Sequence, residues 1–92
     1  MKVYLINEES QGLIGVAASR KAAMQWLIAS DWVGGYSEIW RHDENERWGG
    51  HSVALDELYG ENWEEKFLQF PEIQLEDMGF YIHEEELIEE ED

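Results

Sequence analysis

KVYLINEESQGLIGVA, residues 2–17, holds two short apolar runs separated by turn formers. Strand side chains alternate between faces, so in Lys2–Ile6 Val3 and Leu5 point one way and Tyr4 and Ile6 the other. With both faces apolar, this strand belongs in the middle of a sheet. Asn7–Gly12 supplies the turn, and Leu13–Ala17 reads as a second strand. Two strands so closely joined predict an antiparallel hairpin at the start of the fold.

Downstream the period changes. Ser19 stands in an N-cap position before RKAAMQWLIAS, where a hydroxyl can accept from a free backbone N–H. Ala22, Ala23, Trp26 and Ala29 share one helical face, while Arg20, Lys21 and Gln25 point away. Gly34-Gly35 breaks that helix. Tyr36–Arg41 reads as a third strand and His42–Glu46 as a polar turn. Arg47-Trp48 can begin a return strand, and Ser52–Tyr59 fits either a strand or a short helix. Asn62 precedes Glu65 at capping-box spacing, so a helix is expected from there. Its apolar stripe is Trp63, Phe67 and Phe70, and Pro71 ends it. Ile73 and Leu75 alternate with Glu72, Gln74 and Glu76, and Phe80–His83 follows Asp77-Met78-Gly79. That alternation predicts a second hairpin with an acidic outer face. The order ββαβ(β)αββ, about four to six strands, predicts an α+β fold: one antiparallel sheet packed with two helices. Residues 1–92 are expected to form a single domain, with 87–92 as a frayed acidic tail.

Composition narrows the chemistry. The chain of 92 residues has no cysteine, which excludes disulfides and thiolate metal sites and fits a reducing cytoplasm. The first residues lack the apolar run of a secretory signal, and no run approaches membrane-span length. The formal charge of −16 disfavours direct contact with nucleic acid or anionic lipid, whose phosphates would repel it.

That charge is unevenly placed. Residues 1–55 hold seven acids and five bases, net −2, whereas residues 56–92 hold fifteen acids and one base (Lys66), net −14. A block of one sign marks either an interaction surface or a solvated face. Helical neighbours three or four residues apart lie about 5–6 Å from each other, near the spacing of successive phosphates along a strand. The candidates for a phosphate-like row are Glu61, Glu64 and Glu65 opening a helix, Glu72, Glu76 and Asp77 on the second hairpin, and Glu84, Glu85 and Glu86 in the tail. The bland alternative is that these carboxylates only keep the chain in solution.

Signatures of catalysis are missing. The glycine pairs lack dinucleotide and phosphate-loop spacing, and there is no nucleophile motif. Asp43–Arg47 starts like a calcium loop, but Arg47, Trp48 and Ala54 fall where a ligand, a glycine and the bidentate glutamate belong. His42, His51 and His83 lack metal-ligand spacing. No metal and no cofactor are therefore expected. Trp32, Tyr36, Trp40 and Trp48 crowd the middle of the chain around the glycine pairs; large aromatics are usually core, but a Trp held at a loop is what an interface anchor looks like. Trp48, between Arg47 and Gly49, is the candidate for the exposed one.

Tyr59-Gly60-Glu61-Asn62 resembles the YGEN stretch of the barstar family, small acidic ribonuclease inhibitors. The resemblance spans those residues alone and implies no membership. It supplies a physical analogy: that family covers a basic nuclease site with acids in place of phosphates. The sequence therefore points first to a non-enzymatic inhibitor or regulator of a basic, nucleic-acid-handling protein. Small acidic proteins of phages and mobile elements, and immunity proteins against nuclease toxins, act in this way. A small homo-oligomeric accessory protein, whose aromatics form the subunit contact, is the second reading. A carboxylate- or metal-dependent enzyme is the third.

Overall fold

A computed structural model describes residues 1–86, so the expected frayed tail at 87–92 lies outside the described residues. The elements run β1 (Lys2–Glu8), β2 (Gly12–Ala17), α1 (Arg20–Ala29), β3 (Glu38–His42), β4 (Gly50–Ala54), α2 (Leu55–Tyr59), a 3-10 turn (Gly60–Asn62), α3 (Trp63–Leu68), α4 (Glu72–Asp77) and β5 (Phe80–Glu86). The fold is α+β with antiparallel pairing throughout, as the sequence implies. The strands form two sheets rather than one: a three-stranded sheet in the order β2-β1-β5, and a two-stranded ribbon, β3-β4.

β1 is central, as expected; Ile6 on its inner face is fully buried, while Val3 and Leu5 on the outer face are half-buried. The hairpin with β2 carries a bulge. Ile6 pairs with Gly15 and Asn7 with Leu13, so Ile14 is the extra residue, and it packs against the core. The Trp26 indole lies over Gly15; a Cβ there would come within 3.1 Å of the ring and would need the ring to give by a few tenths of an ångström.

Ser19 caps α1 as expected, its Oγ accepting from the Ala22 N–H at 3.0 Å. The buried face of α1 is rotated from the expected one. Ala23, Met24 and Leu27 are buried, Ala22 and Trp26 flank them, and Ala29 is exposed. A face drawn through Ala22, Ala23 and Ala29 passes over Met24 and Leu27, whose larger apolar surface decides which face turns inward. One cluster of buried side chains unites all layers: Ile6 from the sheet, Ala23, Met24 and Leu27 from α1, Val33, Ile39 from the ribbon, then Leu55, Phe67, Phe70, Leu75 and Phe80. Phe67 and Phe70 meet edge to face at 5.5 Å.

Three expectations in the second half are overturned. The return strand begins at Gly50, not at Arg47-Trp48, which instead belong to the turn of the ribbon. Gly50 has φ 154° and a Cβ there would collide with the Arg41 carbonyl, so this strand starts on a glycine. Asn62 precedes α3 but does not cap it with its side chain. It ends a 3-10 turn with φ −90° and ψ 12°, whereas a capping side chain needs an extended backbone. Finally, the second hairpin does not exist. Glu72–Asp77 is the helix α4, entered through Pro71 and left through Gly79 at φ 89°. Leu75 is buried while Ile73 is 68% exposed, a split that an alternating strand would not give. The chain thus has four α-helices among the described residues rather than two, and β5 pairs with β1.

Candidate functional site

All nine acidic candidates are exposed, but on different scaffolds from those expected. Glu61 lies in the 3-10 turn, and Glu64 and Glu65 in the first turn of α3, where carboxylates suit the positive end of a helix. Glu72, Glu76 and Asp77 lie on α4 rather than on a strand, so Glu72 and Glu76 stand one helical turn apart on one side. Glu84, Glu85 and Glu86 are not tail residues. They are the end of β5, paired with Tyr4, Val3 and Lys2.

Their electrostatic settings differ. Lys2 Nζ lies 3.0 Å from Glu84 Oε1, and that hydrogen bond and charge hold the Lys2 ammonium above its ordinary pKa. The amino group of Met1 lies 3.2 Å from Glu86 Oε1, and His83 Nε2 lies 2.9 Å from Glu85 Oε1. Among the described residues, no Lys, Arg or His lies within ion-pair distance of Glu61, Glu64, Glu65, Glu72, Glu76 or Asp77. Of these six, Glu65 shares a surface pocket with Arg20 and Lys21, beyond ion-pair distance.

The β3–β4 ribbon presents the aromatic candidate. Its turn is held by Asp43 N–H to Gly49 O at 3.0 Å and by Asn45 N–H to Asp43 Oδ1 at 2.9 Å. His51 Nδ1 and Glu46 Oε1, 2.7 Å apart, close the same loop from its other side. Trp48 stands out from it, 77% exposed, with the Arg47 guanidinium carbon 5.2 Å from its ring centre. Trp40 is also exposed, at 44%. Trp32, by contrast, packs against the core, edge-on to Phe80 at 6.5 Å.

A groove of about 200 Å³ separates α4 from β5, lined by Glu72, Leu75, Glu76, Phe80, Ile82 and His83 among others. It brings two expected acids, Glu72 and Glu76, onto one bank. Its apolar floor is not legible in the sequence, where Phe80–His83 reads as the partner of Ile73–Glu76 rather than of β1. The punctuation Pro71…Gly79, proline opening and glycine closing a helix, is the sequence signal that could have found it.

His42, His51 and His83 lie on three different strands, β3, β4 and β5. Among the described residues no three His, Cys, Asp or Glu side chains gather into a group that could hold a metal. No helix of the described chain is long and apolar enough to cross a membrane. In class this is a small acidic α+β protein with exposed carboxylates on short helices and a sheet edge, and an exposed tryptophan on a ribbon. No protein-family model, curated protein or solved structure matches it.

Proposed function

We propose that the protein is a non-enzymatic binding protein that inhibits or regulates a basic, nucleic-acid-handling protein by occupying its phosphate-binding surface. The observation that carries this reading is the set of six exposed carboxylates on the 3-10 turn, α3 and α4, which have no ion-pair partner among the described residues, within a half-chain of net −14. Helical steps give neighbouring acids separations of about 5–6 Å, so they can follow a line of cationic side chains that normally grips phosphates. Complementary charge accelerates encounter, and the exposed Trp48 then slows release. The chain acts inside the cytoplasm on this reading, without metal or cofactor.

The test is competition. Basic nucleases are mixed with the protein and complexes isolated by size exclusion; labelled DNA or RNA is then titrated onto the nuclease. Mutual loss of affinity is the expected result, with Glu61, Glu64 and Glu65 changed to Lys weakening the complex more than Glu8, Glu9 and Glu44 changed to Lys. Simultaneous binding with no mutual loss sinks the mimic.

A second reading is favoured by one observation. Leu13 and Val16, each 58% exposed, and Tyr81, 43% exposed, share the outer face of the three-stranded sheet. Such a face suits self-association, with the acids only solubilising the assembly. A concentration-independent monomer in sedimentation would remove that reading.

A further inference from the structure

The groove between α4 and β5 is also the free edge of the sheet. β5 pairs with β1 on one side, and among the described residues no strand pairs with it on the other. The register fixes which backbone groups face outward. Glu9 N–H donates to Gly79 O at 3.0 Å, one step beyond the paired residues Glu8 and Phe80. In an antiparallel ladder such bonded pairs alternate with unbonded ones. Tyr81, His83 and Glu85 therefore turn their N–H and C=O groups toward β1. Phe80, Ile82 and Glu84 turn theirs away, along the side that opens into the groove.

Edge strands left open in this way are templates for another strand. Many edges are blunted by lysine or proline; this one carries neither, and its charges are all negative. The opposite bank carries Glu72 and Glu76, and the floor is Phe80, Ile82 and Leu75. A volume of about 200 Å³ is small for an organic cofactor, whose sites run to about 300–1,000 Å³. It suits the side of a single extended chain.

We propose that this groove receives an extended basic segment of the partner protein, which adds to β5 as a further strand. Main-chain bonds to Phe80, Ile82 and Glu84 hold the segment. On the face it turns toward the groove, its apolar side chains rest on Phe80 and Ile82 and a Lys or Arg stands opposite Glu84, with Glu72 and Glu76 across the groove. The acidic banks reject an acidic segment by like-charge repulsion. This inference rests on the acidic-surface reading above and gives it a main-chain contact point.

The probe is a capped heptapeptide, Thr-Arg-Thr-Val-Thr-Val-Thr, whose arginine and valines share one face of an antiparallel strand, with two comparison peptides: one N-methylated at the valines, one with glutamate for arginine. Amide resonances of the whole protein are followed by NMR during titration. Shifts at Phe80, Ile82, Glu84, Glu72 and Glu76 are expected, with N-methylation weakening binding roughly tenfold and the glutamate peptide silent. Glu84→Pro keeps the β1 ladder, because that N–H faces away from it, and should also weaken binding roughly tenfold. Glu84→Gln, which removes only charge, should cost about threefold or less. The N-methylated peptide tests unaltered protein, so misfolding of the proline variant does not blur the result. Equal binding of the N-methylated peptide, or shifts confined to Glu61, Glu64 and Glu65, would overturn strand addition while leaving the charge-based reading intact. No shift at millimolar peptide overturns the groove. Failure of the nucleic-acid competition, by contrast, removes the mimic and leaves this titration unchanged.

Discussion

Trp48 shows how much one side chain can say. Its exposure was legible because Arg47 and Gly49 flank it, leaving no apolar neighbour to bury it. Trp32, also expected near a loop, packs on Phe80 instead, because its environment is set by residues far along the chain. A side chain that is 77% exposed contributes little to the core, so Trp48→Ala should leave the unfolding midpoint nearly unchanged. If it anchors the partner, the same change should weaken the complex by about 2 kcal/mol or more. Calorimetric titration alongside a thermal melt separates the two effects. A variant that unfolds, with unchanged affinity per folded molecule, would place Trp48 among the structural residues.

Elements were legible where apolar period and punctuation agreed. The first hairpin and α1 had both, and both formed. α4 had conflicting signals: Glu72–Glu76 alternates like a strand, while Pro71 and Gly79 bracket it like a helix. Over so few residues a period cannot discriminate, and the buried contact of Leu75 decided the outcome. The helix is locally unfavourable in a way that suits a binding surface. Glu72 and Glu76 repel each other one turn apart, and α4 has no basic residue in its last turn to balance Glu76 and Asp77. Glu76→Gln and Asp77→Asn should therefore each raise stability by about 0.3 kcal/mol, read from urea unfolding. Glu76→Gln should at the same time weaken partner binding. A loss of stability would mean that these carboxylates hold α4 in place through contacts the helix does not reveal.

For the whole molecule, the α+β class followed from the order of elements, but the division into a sheet and a separate ribbon did not. Pairing of β5 with β1 joins segments 85 positions apart at Met1 and Glu86, a distance no local pattern reports. The acidic half was legible as charge; the placement of Glu72 and Glu76 beside a groove was not, since that needed the pairing. A chain of formal charge −16 repels itself, so added NaCl should raise the melting temperature, and EDTA should leave it unchanged. A fall of many degrees with chelator would reveal a structural metal. The long-range pairing also has a consequence for biosynthesis. β1 and β2 can form their hairpin as soon as they leave the ribosome, but the other edge of β1 waits until β5 is made. Through most of translation the central strand therefore keeps one hydrogen-bonding edge open, even where α1 covers its inner face, and a truncated chain lacking β5 would be expected to seek chaperones or aggregate.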